Sequence, residues 1–220
     1  MICRHIAFAL FLGLPLIAVS QTQHKAAAPA SKPAQNEDAR LYRNAIFAFR
    51  FQIPYGWVDR TKEMRAQEAT ENPDTKTEKP VPKDKPEKEK STGEVLLAVF
   101  ERPPDAIGET INSAVVIASE SAATYPGLKR AEDYLGPLTD LTTSKGFKVE
   151  GDPDVIEIDS RQLIRADFTK PLSESLTMHQ STLLLLAKGQ IVSFTFIAGS
   201  EDEIDDLIEG LHFHAVQPTR

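Results

Sequence analysis

The side chains of this sequence that could do chemistry are a few histidines, a serine and several acids, and three groupings bring them within reach of one another. His212 and His214 stand two apart, a spacing that puts two imidazoles on one face of a strand. His179 falls in another predicted strand, so a zinc site can be drawn from the three. Against it, His212 and His214 flank Phe213 in what reads as an exposed C-terminal stub, and His179 reads as a cross-strand polar residue. No metal is therefore expected. A second grouping, Ser181 with His179 and Asp167, has the residue types of a hydrolytic triad. It would place nucleophile and base at alternating positions of one strand, without the sharp elbow and clustered backbone donors that acyl transfer uses, and no Gly-x-Ser-x-Gly is present. Third, the acids of Gly151-Asp152-Pro153-Asp154 and the trio Asp202, Asp205 and Asp206 could meet calcium. Neither follows the twelve-residue calcium loop, so the first is expected to be a turn and the second a solvated helix face. No phosphate-binding glycine loop follows a strand, which leaves no nucleotide site and no expected cofactor.

Two aromatics belong to a different kind of site. Tyr55 and Trp57 lie just past a strand-ending Pro54, where a tryptophan is either a lid on the core or an exposed anchor for a partner. The lid is favoured for Trp57, and both residues are kept as partner-binding candidates.

The start of the chain dictates compartment. Arg4 and His5 precede an apolar run, Ile6 to Val19, and Ala18-Val19-Ser20 offers small residues before Gln21. That is the pattern of an export signal over residues 1–20, and the run is short of the roughly 20 apolar residues a membrane span needs. Cys3 is the only cysteine and lies in this segment, so the mature chain has no disulfide, thiolate ligand or cysteine nucleophile. A periplasmic or secreted location is expected. Residues 21–40, rich in Ala, Pro, Gln and Lys, read as a flexible arm. The net charge of -7 comes without a basic run, which disfavours nucleic acid and anionic membrane as partners.

A single domain is expected over 41–216. With the charged insertion set aside it has about 150 residues, enough to bury roughly 70% of its unfolded surface. Alternation of Phe47, Phe49, Phe51 and Ile53 predicts a strand over Ala45–Ile53 with four apolar groups on one face. A type I turn is expected at Ile53–Gly56. From about 62 to 92 Lys, Glu and Pro dominate, and a disordered insertion is expected there because little can be buried. Strands follow at Glu94–Glu101 and Ile111–Ser119, then a helix over Arg130 to Ser144 that Gly136-Pro137 kinks or divides. Further strands are predicted at Val155–Asp159, Gln162–Thr169, Leu176–Ala187 and Ile191–Ala198, with tight turns at Ser160-Arg161 and Lys188-Gly189. Ser200 caps a last helix, Glu203 is its capping-box partner, and Ile204, Leu207, Ile208 and Leu211 form its apolar stripe. Strands joined by short turns pair antiparallel. The fold class is thus α+β, an α/β/α sandwich whose central, mostly antiparallel sheet has about six to seven strands and two main helices.

Phe47-x-Phe49-x-Phe51-x-Ile53-Pro54-Tyr55-Gly56-Trp57 resembles the opening strand and turn of the PsbP-like superfamily, which includes oxygen-evolving enhancer proteins of photosystem II and a Ran-binding nuclear-import factor. The closing stretch Gly189 to Phe213, with its apolar strand, acid-capped helix and aromatic ending, is similar to that family too, and Glu132-Asp133-Tyr134-Leu135 falls in the same order. The resemblance implies a non-enzymatic module that docks on proteins or assemblies through loops and a sheet edge. It carries no binding residue across, since the matching positions are core and turn. The expected function is an exported, non-enzymatic binding or assembly module of the cell envelope. The alternatives are an exported hydrolase or metal-dependent enzyme using His179, and a structural tether acting through the 62–92 insertion.

Overall fold

The computed structural model describes residues 40–71, 93–106 and 108–214. The expected export signal, nearly all of the expected arm and the 72–92 part of the expected insertion lie outside them.

The chain enters through β1 (Leu41–Asn44) and β2 (Phe49–Gln52), an antiparallel pair closed by β10 (Leu211–Phe213) into a small sheet of order β1-β2-β10. The single strand expected over Ala45–Ile53 is thus half turn: Ala48 takes φ +57° and Asn44 Oδ1 accepts the Phe47 amide at 3.0 Å. The alternation still delivered its apolar face, since Phe47, Phe49 and Phe51 are all buried. The following turn lies one residue later than expected. The Trp57 amide donates to the Pro54 carbonyl, and Gly56 at φ +83° supplies the positive φ that a type II turn needs at its third position.

β3 (Val58–Asp59) leads into α1 (Thr61–Glu71). This helix corrects the expectation that order stops at about 62. Its sequence is polar but made of good helix formers with no proline, and it is fastened by side chains instead of an apolar stripe. Asp59 Oδ1 accepts from the Thr61 amide at 2.9 Å, Thr61 Oγ1 accepts from Ala98 N at 2.9 Å, and the Arg65 guanidinium donates to the Val95 and Leu96 carbonyls.

β4 (Glu94–Phe100), β5 (Ala114–Ser121), β6 (Lys148–Ile158), β7 (Arg161–Pro171), β8 (Thr177–Ala187) and β9 (Gln190–Ala198) complete the main sheet. Its seven strands run in the order β3-β4-β5-β9-β8-β7-β6, every neighbouring pair antiparallel. Both long hairpins turn through consecutive left-handed residues, Asp159-Ser160 (φ +48° and +65°) and Lys188-Gly189 (φ +53° and +74°), which match the twist of the flanking strands. The first of these turns lies one residue earlier than expected. Asp159 holds that conformation because its carboxylate accepts the Phe213 amide at 3.0 Å and pairs with His212 at 3.2 Å.

A 3₁₀ turn (Ala131–Tyr134) runs straight into α2 (Leu135–Ser144), so Gly136-Pro137 sits in the first turn of the α-helix, where a missing amide costs nothing. α3 (Glu201–Glu209) begins at Ser200, whose Oγ accepts the Glu203 amide at 3.2 Å. Glu203 does not close a capping box on Ser200. Its carboxylate accepts instead from the Gly199 amide at 3.3 Å and the Ser113 hydroxyl at 2.5 Å. Three α-helices are present among the described residues, one more than expected.

The two faces of the main sheet carry separate cores. On one, Leu97, Val99, Val115, Leu183, Leu185, Phe194 and Phe196 meet Phe49 and Phe51 of the small sheet and Ile204 and Leu207 of α3. The ring of Phe194 stands edge-on to Phe49 at 5.0 Å and to Phe213 at 5.9 Å, so the opening aromatics and the closing helix share one interior. On the other face Tyr134 and Leu138 cover Ile164, Ala166, Phe168 and Leu184. The run Leu183 to Leu186 feeds both cores alternately, as a strand covered on two sides must.

Candidate functional site

Three local features converge beside His179. In the first, β6 carries a bulge: Glu150 pairs with Asp167 and Asp154 with Arg165, so two extra residues are accommodated in Gly151-Asp152-Pro153, with Gly151 at φ +67°. The segment expected to be a turn is therefore a break inside a longer strand, and it re-aims Glu150 and its neighbours. In the second, β8 pairs His179 with Ala198 of β9. The third follows directly from that pairing. Only Gly199 and Ser200 separate Ala198 from Glu201, so the first residue of α3 stands over the imidazole.

The result is a cleft of about 340 Å³ between the β6 bulge, β7, β8 and the start of α3. Its walls present Glu150, Asp152, Asp154, Asp167 and Glu201 against Arg165 and His179. His179 Nδ1 lies 3.9 Å from a carboxylate oxygen of Glu150 and 3.9 Å from one of Glu201. The ligand atoms of these three side chains all fall within 4.8 Å of one another. Nδ1 is buried and has no hydrogen-bond partner among the described residues. Arg165 is committed elsewhere: its Nε donates to both oxygens of Asp167 at 3.0 Å and its Nη1 to Asp205 at 2.8 Å. Burial pulls the guanidinium pKa down, but the bonds to Asp167 and Asp205 outweigh it and hold it above the ordinary value.

The predicted residues divide between this cleft and other places. Ser181, His179 and Asp167 lie on one face of the sheet, yet they form no triad: Ser181 is fully buried with its Oγ unpartnered, and both oxygens of Asp167 are taken by Arg165. Nor do the histidines gather. His212 pairs with Asp159, and His214 donates its backbone amide to the Ala48 carbonyl at 2.9 Å. The C-terminal segment read as an exposed stub is strand β10, with Phe213 buried, because its backbone completes the small sheet beside β2. Asp152 and Asp154 line the cleft, whereas Asp202 and Asp206 face outward on α3. Trp57 packs against the larger core, and Tyr55 is 69% exposed with the Arg40 guanidinium 5.2 Å from its ring centre.

Glu150 and Glu201 were not singled out from the sequence as site residues. A turn at Lys188-Gly189 by itself aligns His179 with Ala198, and so with the approach to the capped helix. That signal was available for Glu201. For Glu150 no signal was, because the bulge decides its register.

No family model matches this chain, and no curated protein does. Among solved structures it is similar to cyanobacterial PsbP (CyanoP) from Synechocystis sp. PCC 6803, at 13% identity over 85% of this chain and 100% of that one, with a TM-score of 0.45. It is also similar to the Ran-binding protein Mog1p of Saccharomyces cerevisiae, at 10% identity over 79% and 94% of the two chains, TM-score 0.42. A third likeness is to LpqN, involved in cell envelope biogenesis of Mycobacterium tuberculosis, at 14% identity over 60% and 75%, TM-score 0.33. These are likenesses to solved structures, and no residue role follows from them. No helix among the described residues is long and apolar enough to cross a membrane.

Proposed function

We propose that this chain is an exported, non-enzymatic binding module of the cell envelope, a single domain that docks on another protein and uses the acidic cleft beside His179 as its recognition site. The observation that carries this is the contrast inside the cleft. Its carboxylates outnumber its one arginine, which Asp167 and Asp205 already satisfy, while the serine that catalysis would need is fully buried. A volume of about 340 Å³ is at the lower end of ligand-holding sites and admits a side chain of a partner. Excess negative charge in a partly enclosed site selects a cationic segment, by Coulomb attraction that low-dielectric walls strengthen. Tyr55 is the aromatic a partner would meet at the opposite, β2–β3 edge, whereas Trp57 serves as a lid on the core.

Crosslinking of the chain in envelope extract tests this. A specific protein should be recovered, and its yield should fall when Asp152 and Asp154 are changed together to Asn. Recovery of abundant bystanders alone, or an identical specific capture by the double variant, overturns the cleft as the docking site. Ester or peptide hydrolysis lost in His179→Ala would replace this function with the hydrolytic one.

A further inference from the structure

We propose that Glu150, His179 and Glu201 bind a divalent transition-metal ion, with zinc the best fit. This rests on the cleft being a binding site and names what its inner wall holds.

The three side chains come from three elements, β6, β8 and α3, and none of them bonds another. An imidazolium next to a carboxylate ordinarily closes to a charge-assisted hydrogen bond of about 2.7–2.9 Å. Here Nδ1 stands 3.9 Å from both carboxylates and has no hydrogen-bond partner among the described residues. A buried polar nitrogen left in that state is costly, and a cation between the three groups removes the cost. The distances suit one. Zinc takes His nitrogen at about 2.0–2.1 Å and carboxylate oxygen at about 2.0–2.2 Å, which sets tetrahedral ligand atoms about 3.4 Å apart. Closing the two imidazole–carboxylate gaps from 3.9 Å requires about half an ångström, and the widest pair, within 4.8 Å, up to about 1.4 Å against that ligand spacing, a movement open to the Glu150 and Glu201 side chains, which are 44% and 67% exposed.

Donor chemistry narrows the metal. Two carboxylates alone would suit magnesium or calcium, which prefer all-oxygen shells, but an imidazole turns preference toward zinc and its neighbours. Three protein ligands leave a fourth position open toward the rest of the cleft, the arrangement of sites that receive an outside ligand. Asp152 and Asp154 remain on the same walls, so the cleft stays acidic with the ion in place.

The test is calorimetric titration of the purified chain, freed of metal by chelator, with zinc chloride and with calcium chloride as comparison. One equivalent of zinc should bind, more tightly than calcium, and His179→Ala and Glu201→Gln should each weaken it by more than about tenfold. His212→Ala should leave it unchanged. Thermal melts accompany each variant, and Glu201→Gln, on an exposed side chain, keeps the test valid where His179→Ala fails to fold. Absence of a saturable zinc site, calcium binding as tightly, or affinity indifferent to Glu201→Gln overturns the proposal. The titration needs no partner: zinc uptake with no captured protein removes the docking function alone, and a captured protein without zinc uptake removes the metal site alone.

Discussion

Two carboxylate sites lie beside opposite ends of β9, Glu120 opposite Ile191 and His179 opposite Ala198, and solve the same physical problem in opposite ways. Glu120, at the end of β5, is gripped by two phenols: Tyr125 donates to one oxygen at 2.6 Å and Tyr134 to the other, with the two rings edge-on at 5.0 Å. Burial, and after it the bond to Glu120, pushes both phenols above their ordinary pKa. Every polar atom there has a partner, and the cluster pins the 3₁₀ turn before α2 onto the sheet. In the His179 cleft, Glu150 and Glu201 approach an imidazole whose Nδ1 has no hydrogen-bond partner among the described residues. A satisfied cluster holds the fold together, whereas an unsatisfied one is held by the fold and waits for something else.

Substitution should separate the two. Glu120→Ala strips the acceptor from both tyrosines and is expected to cost about 2–4 kcal/mol, the worth of two charge-assisted bonds in a partly buried site. A shift in the urea midpoint reads it, and a midpoint within error of the parent chain would dissolve the contrast. Ser200→Ala removes the cap of α3 and should cost about 1 kcal/mol. It also frees the first turn that carries Glu201, so the melting temperature and any zinc uptake should fall together.

Asp159→Asn sharpens the comparison at a third carboxylate, one with partners but at the surface. The Phe213 amide, and then His212, hold the Asp159 pKa below the usual carboxylate range. A depressed folded-state value contributes stability above the unfolded pKa and loses it as pH falls through the folded one. The parent should therefore melt higher than the variant at neutral pH, and the gap should close on acidification below the ordinary Asp range. A gap constant with pH would show that the charge is not what Phe213 binds. Smallest of all, Glu150→Gln or Glu201→Gln without metal should change stability by less than about 0.5 kcal/mol, toward stabilisation as like charges are relieved. A loss like that of Glu120→Ala would make the cleft structural.

The sandwich and its antiparallel order were legible because apolar period and turn residues act over a few neighbours. Leu183 to Leu186 announced a two-sided strand, and Lys188-Gly189 announced a hairpin whose register followed from the turn alone. Polar composition concealed α1, since Thr61 and Arg65 hold it by bonds to distant backbone and not by an apolar stripe. The C-terminal histidines misled for a related reason: three residues are too few to show a period, and β10 exists because β2 offers it an edge.

From the residues alone came the layered α+β fold and the shared interior of the Phe47 to Phe51 aromatics with the capped last helix, while His179 read as a cross-strand polar residue. Tertiary structure decided what surrounds that histidine. Glu150 and Glu201 are distant from it in sequence, and they reach it through a strand bulge and a two-residue link into a helix. Such convergence depends on the register of several paired strands at once, which no local pattern encodes.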